Sequence, residues 1–333
     1  MRILQVTMQF GRSYTQGTER YVAVLSDGLR RHGHDVTVLA GDPLGLGPRR
    51  RLGEPIGGEP HVLHYPTRGW LAIVGLPPRR LAGWLRHHRP DVVHLNTPAH
   101  IGAGILSACR RLGIPSVVTV HDYWWICPKA TLLRPDGREC DGTPGWPTCT
   151  RCLAGDHPRP WVRRLAALPV LGSYVLVKLF MMRAALRGLG LADMYRWMWR
   201  RRALLSRLER ADFVIFPSQA VAMAVASRLS HDRWRILRNG LSNEWFENPR
   251  PPAGQVKEPA DLVVGFAGAL SPHKGPHVLL EALRHLDWRQ TRVRLAGPVG
   301  DDTYMNRLRA LADGLNVEFA GSLPAHQMPA FLR

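Results

Sequence analysis

Lysine is almost missing from this 333-residue chain: of 45 lysines and arginines only four are lysine, Lys129, Lys178, Lys257 and Lys274, which leaves 41 arginines. Arg therefore serves as the generic surface cation, and each lysine becomes informative. Acidic residues are also few, 26 in all, giving a formal charge of +19. Such an excess suits an anionic membrane surface or an acidic ligand. The arginines are spread along the chain without a recognition module, so nucleic acid is not expected as a partner.

No long apolar run is present. Residues 165–177, LAALPVLGSYVLV, are broken by Pro169 and Gly172 and are too short to span a bilayer. The opening RILQVTMQF carries Arg2 and Gln5 and lacks a small-residue cleavage site, so a cytoplasmic location is expected. Two phosphate-binding motifs are missing as well. No G-x-x-x-x-G-K-[ST] occurs, and the first strand–helix turn lacks G-x-G-x-x-G, which argues against a P-loop nucleotidase and a dinucleotide dehydrogenase.

Cysteine is sparse and odd in number, five, which argues against a disulfide framework. Cys109 lies within the helical pattern IGAGILSACRRLG and reads as core. Cys127, Cys140, Cys149 and Cys152 are clustered, and the last two form C-x-x-C. That spacing chelates zinc when a second pair helps, so the four form a candidate structural zinc site beside the alternative of reduced loop thiols; no catalytic metal is expected.

What is present is a strict alternation. RILQVTMQF, DVTVLAG, DVVHL, PSVVTVHD, DFVIFPS and WRILRNG read as short buried strands separated by amphipathic helices, the signature of a parallel α/β sheet. Gly33 fits the C-terminal cap of the first helix. NPRPPAGQVKEPA, residues 248–260, has four prolines and no apolar period, and reads as a linker between domain 1–247 and a second domain, 261–333. The second domain restarts the alternation with DLVVGFAG, a helix from Pro276 to Leu286, RVRLAG, a helix from Asp301 to Asp313, and NVEFAG. Three strands are few to bury both faces of such a sheet. Residues 160–210 depart from the rhythm as a helical insertion. Its MYRWMWRRRALLSRLER is basic and Trp-bearing, as a peripheral membrane helix would be, or else it packs on the first domain as a hairpin.

In open α/β sheets ligands bind at the carboxyl ends of strands. His121 and Asp122 follow the strand PSVVTV directly and so stand at that rim, with Trp124 and Trp125 next to them. In GALSPHKGPH, residues 268–277, Gly268 permits close backbone approach, Lys274 brings a mobile cation, and the following helix presents its positive end. Together they make a diphosphate site.

Further residues carry a resemblance. The Gly17-Thr18-Glu19 turn, RRHGHDVTVLAG, PDVVHLN, the HD pair, ADFVIFPS, RNGL followed by Phe246, GALSPHKG, LAGP and VEFAGSLP occur in the order and spacing of family-4 glycosyltransferases. The chain resembles that family over essentially its whole length, and HDYWWICP with its cysteine-bearing loop is similar to a bacterial branch of it. The resemblance implies an α/β GT-B fold, two Rossmann-like domains facing a cleft, the second incomplete. It implies transfer of a sugar, with retention, from a nucleotide-diphosphate sugar to a glycan or lipid-linked acceptor in cell-surface polysaccharide or glycolipid assembly, with no cofactor as catalyst. By position, His121 would adjoin the transferred sugar and Asp122 would orient it. Gly17, Gly268, Lys274, Gly275, Gly321, Ser322 and Leu323 would bind the donor, and Glu19, Trp124 and Asn239 would lie on the acceptor side.

Two departures stand out. Ala269 replaces a commonly present arginine, with His273 as the nearby substitute cation, and the Glu-x7-Glu donor motif is missing, since no glutamate follows Glu318. The expectation is therefore a C-terminally truncated enzyme. A nucleotide-sugar epimerase of the same fold and a catalytically incomplete binding subunit are the alternatives.

Overall fold

The computed structural model describes residues 1–11, 16–41, 53, 55–56, 59–65, 78–98, 103–157, 159–168, 175, 200–241, 262–285, 291–324 and 327–332. The chain divides into two units, Met1–Gly240 and Leu241–Arg333. The expected linker, residues 248–260, lies outside the described residues, as does most of the central part of the 160–210 insertion.

The first unit is built on strands β1 (Arg2–Thr7), β2 (Asp35–Gly41), β3 (Pro55–Ile56), β4 (Glu59–Tyr65), β5 (Val92–Leu95), β6 (Ser116–Thr119), β7 (Phe213–Phe216) and β8 (Trp234–Ile236). They form one sheet in the order β3-β4-β2-β1-β5-β6-β7-β8. All neighbours run parallel except β3 and β4. Around them lie α1 (Gly17–Arg31), α2 (Pro78–His88), α3 (Gly104–Leu112), α4 (Trp146–Gly155), α5 (Pro160–Ala167), α6 (Arg200–Leu208) and α7 (Gln219–Val225). β1 is buried from Ile3 to Thr7, as a central strand covered on both faces must be, with Ile3, Leu4 and Val6 apolar and Gln5 and Thr7 polar. Gly33 and Gly113 take left-handed backbone (φ 80° and 66°) just past α1 and α3, closing those helices as glycine does without a Cβ penalty.

The core joins Leu4, Val6, Leu95, Val118 and Phe216 of the sheet to Leu81 and Leu85 of α2 and Ile105 and Leu106 of α3. Fully burying each such side chain is worth about 1.5–3 kcal/mol. Cys109 belongs to this core as expected, its thiol pushed up to about 12 by burial. Leu204 and Leu208 of α6 are buried in the same core. The described part of the basic segment, residues 200–210, thus packs apolar side chains on the first unit, and its Trp-bearing part lies outside the described residues. Among the described residues no helix is long and apolar enough to cross a membrane.

In the second unit β9 (Leu262–Ala267), β10 (Thr291–Ala296) and β11 (Val317–Gly321) form a parallel sheet ordered β11-β10-β9, with helices α8 (Pro276–Leu283), α9 (Asp302–Ala312) and α10 (Met328–Phe331). Val264, Phe266, Val293 and Leu295 face Leu280 and Leu283 of α8 and Met305 and Leu308 of α9. Asp301 caps α9, its Oδ1 accepting from Thr303 N at 2.7 Å. Residues of the alternate register carry Val263, 57% exposed, and the pairs Arg292–Glu318 (2.8 Å) and Arg294–Glu318 (3.0 Å). The alternation therefore has one apolar and one largely polar side.

Candidate functional site

In the first unit the sheet order reverses between β1 and β5, the topological switch point at which α/β sheets bind ligands. Buried polar side chains gather there. Asn96, directly after β5, donates through Nδ2 to Gln5 Oε1 of β1 (2.8 Å), and its Oδ1 lies 3.4 Å from His121 Nε2. His94 Nε2 is 2.8 Å from Thr119 Oγ1, which also meets the Tyr21 hydroxyl of α1 at 3.4 Å. The rings of Tyr21 and His121 meet edge to face, 4.6 Å between centroids. Because Asn96 gives its N–H to Gln5, its oxygen is left to accept; this assigns the Nε2-protonated tautomer to His121 and leaves Nδ1 as an acceptor. Gln5 Nε2, Thr7 Oγ1 and Glu19 Oε2 are buried without a hydrogen-bond partner among the described residues. Buried polar atoms are ordinarily paired, so this concentration marks a place built for something other than packing.

Burial sets the charge state. It holds His121 down to about 4, and His94 to about 3 with a further push from His121, so both rings are neutral at pH 7. Burial likewise raises the Tyr21 phenol above its usual value. The unfolded chain protonates these histidines near 6.5, whereas the folded chain resists until far lower pH. Their contribution is complete above pH 6.5 and is lost as the pH falls from there toward 4, with a slope approaching about 1.4 kcal/mol per pH unit for each ring. Denaturant unfolding between pH 7 and 4 should show this loss, and His121→Asn should flatten it; identical profiles for the two proteins would contradict a neutral buried ring.

Of the expected residues, His121 joins this cluster, and Glu19 is buried (4% exposed) on α1, the helix that carries Tyr21. Asp122 is exposed and accepts from Trp124 N through Oδ1 at 2.8 Å, capping the short turn Tyr123–Trp125. That turn explains the paired tryptophans: Trp125 is 1% exposed and inserts into the core, while Trp124 packs half-buried against it. Gly17 opens α1 at the surface, and Asn239 lies exposed beyond β8, at the same edge of the parallel sheet. The four clustered cysteines line one cavity. Among the described residues no three His, Cys, Asp or Glu side chains form a metal-binding group, and Cys127, Cys140, Cys149 and Cys152 are free thiols, the alternative weighed beside zinc. Sharing a cavity wall does not bring four sulfurs to a common point, which a tetrahedral site requires.

In the second unit the ends of β9, β10 and β11 meet through bare backbone. Gly268 N donates to Ala296 O (2.9 Å), and Gly297 N donates to Gly321 O (2.8 Å). Lys274 is exposed at the end of the turn Pro272–Lys274, and Gly275 (φ 74°) swings the chain into α8, which begins with Pro276. Ser322 is exposed and Leu323 half-buried just beyond β11, at this same edge. His273 does not stand in for the arginine that Ala269 replaces. Burial and the neighbouring Lys274 charge lower its pKa below 6.5, so it is mostly neutral at pH 7, with Nδ1 3.2 Å from Ser271 Oγ.

Gln5, Tyr21, His94, Asn96 and Gly297 are members of these arrangements that sequence reasoning did not single out. The available signal was a polar residue inside an otherwise apolar strand, as in VVHLN and ILQVT.

Residues 15–146 match the family profile described as Glycosyltransferase Family 4, and residues 251–333 the one described as Glycosyl transferases group 1. Over 122 residues the chain is 41% identical to a GDP-mannose-dependent alpha-mannosyltransferase of Mycolicibacterium smegmatis, covering 35% of this chain and 31% of that protein. A protein of the same description from Mycobacterium tuberculosis is 38% identical over 106 residues, 30% of this chain and 27% of its own length. The chain thus spans less than a third of the curated relatives it matches. Among solved structures, the catalytic domain of Starch Synthase IV from Arabidopsis thaliana superposes with a TM-score of 0.52 at 12% identity, covering 99% of this chain and 76% of that one, a likeness of fold. Both glycosyltransferase profiles are thus matched in order, each on its own unit of parallel strands and helices, and the chain is similar to family-4 glycosyltransferases and shares the fold of a GT-B enzyme.

Proposed function

We propose that this chain serves transfer of a sugar from a nucleoside-diphosphate donor, with retention at the anomeric carbon, to an acceptor used in cell-surface glycan or glycolipid assembly. The observation that carries the reading is the strand-end platform of the second unit: glycine backbone at 268, 297 and 321, the Lys274 cation, and the start of α8. These are the elements a diphosphate calls for, namely close approach, a mobile positive charge and a helix N-terminus. In the reaction the anomeric C–O bond to the diphosphate breaks as a bond to the acceptor oxygen forms, and the acceptor proton leaves with the phosphate. Negative charge grows on the leaving group, so a fixed cation there lowers the barrier.

The first unit by itself carries the polar cluster around His121. Neutral at pH 7, its imidazole can accept a hydrogen bond from a sugar hydroxyl through Nδ1. The names of the curated relatives make GDP-mannose the first donor to try. Calorimetric titration with GDP, UDP and ADP should show micromolar binding of at least one, with GDP favoured, and release of nucleoside diphosphate from the matching sugar should follow. Absence of binding by all three nucleotides would remove this reading.

A further inference from the structure

The loop that begins at His121 leads into a cavity of about 520 Å³ in the first unit, between the segment 126–144 and helices α4 and α5. Pockets of this size accommodate small-molecule ligands. Its wall is largely apolar, with Ile126, Leu132, Leu133, Pro135, Ala166 and Ala167, and the thiols of Cys127, Cys140, Cys149 and Cys152 complete it. Free cysteines behave there as small hydrophobes.

The charged lining is unbalanced. Lys129, Arg134, Arg151 and Arg163 line it with Asp136, and Asp156 adds a second carboxylate beside Lys129, so cations outnumber carboxylates four to two. Some of these groups also hold the wall in place. Lys129 pairs with Asp156, Asp136 pairs with Arg138, and Arg151 Nε donates to Ala166 O at 3.2 Å.

The segment 141–144 of the wall is held by arginines from elsewhere in the unit as well. Arg228 Nη2 donates to Asp141 O (2.7 Å), and Arg201 Nη1 donates to Gly142 O and, at 3.2 Å, to Pro144 O. Pro135 packs so closely on Gly155 that an added Cβ would sit 2.5 Å from its Cγ. This is a braced hollow, and two features define what fits it: an apolar interior and an excess of cations. A sugar or a peptide backbone would strand its polar groups against the leucines and alanines, whereas a hydrocarbon chain ending in an anion matches both features.

We propose that this cavity holds the hydrocarbon chain of a lipid phosphate, with the anionic headgroup at the basic residues of its lining. That this amphiphile is also the sugar acceptor rests on the transferase reading above.

The test titrates the 333-residue protein with octyl, decyl and dodecyl phosphate below their micellar concentrations, following intrinsic tryptophan fluorescence. Each added pair of methylenes should tighten binding about ten-fold, and dodecanol should bind more weakly than dodecyl phosphate. Bound dodecyl phosphate should slow alkylation of Cys127, Cys140, Cys149 and Cys152 several-fold relative to the ligand-free protein. Arg134→Glu, at an exposed position, should weaken the phosphate and leave the alcohol unaffected, and Ala166→Trp should abolish both by filling the space. Affinity independent of chain length, or four thiols alkylated at unchanged rates, would overturn the proposal. Donor turnover in a protein that binds no alkyl phosphate would do so too, leaving the transferase reading intact. Chain-length-dependent binding with thiol protection, but without any nucleotide binding, would keep the cavity assignment and remove the acceptor role.

Discussion

Lys274→Ala is expected to weaken nucleoside-diphosphate binding by roughly ten- to hundred-fold, the equivalent of one charge-assisted contact of about 1.5–3 kcal/mol. The residue is exposed, and no ion pair among the described residues engages it. The alternative cation at this loop is weak: His273 is mostly neutral at pH 7, and position 269 is alanine. Little else in the loop can compensate. Calorimetry with GDP would read the loss directly, and Lys274→Arg should recover part of it by keeping the charge while changing its shape. An alanine variant that binds every nucleotide as the parent does would show that the phosphates sit elsewhere.

Gly297→Ala should be the most damaging single substitution in the second unit. A Cβ at this position would lie 1.7 Å from Gly268 O and 2.5 Å from Gly268 C, and both are backbone atoms that cannot rotate away. Relief requires the ends of β9 and β10 to part, with loss of the bonds from Gly268 N to Ala296 O and from Leu270 N to Pro298 O, each 2.9 Å. The cost should reach about 4 kcal/mol or more, the range of severe backbone collisions. Gly300→Ala is the control, since an added Cβ there meets nothing within 4 Å. Guanidinium unfolding of the two variants should differ widely; equal stability would mean that the close strand-end packing is not maintained. Nucleotide affinity should fall with Gly297→Ala as well, because the glycine platform is where the diphosphate is proposed to lie.

The alternation of strands and helices was legible because it is written in local pattern. DVTVLAG gave β2 at Asp35–Gly41, and Gly33 marked the end of the first helix because left-handed backbone suits a residue without a Cβ. β4 was not foreseen. EPHVLHY mixes proline and histidine with its apolar residues, and its place in the sheet comes from pairing with β2, for example Val38 with Val62. The helix Pro78–His88 was likewise passed over, although Leu81 and Leu85 at helical spacing form its buried side. The C-x-x-C motif was read as a metal signal because thiol spacing is visible along the chain, whereas the positions of Cys127 and Cys140 relative to α4 depend on how the loop folds back.

By itself the sequence determined the fold class, the two α/β repeats, the strand-end position of His121 and the singular lysine before α8, since each of these rests on neighbours within a few residues. The tertiary structure alone decided which polar groups converge. Asn96 meets Gln5 across 91 residues of chain, and Gly297 closes on Gly268 from the adjacent strand. Parallel pairing brings such ends together only through long crossovers, so their contacts depend on the register of the whole sheet, a quantity no local stretch of sequence contains.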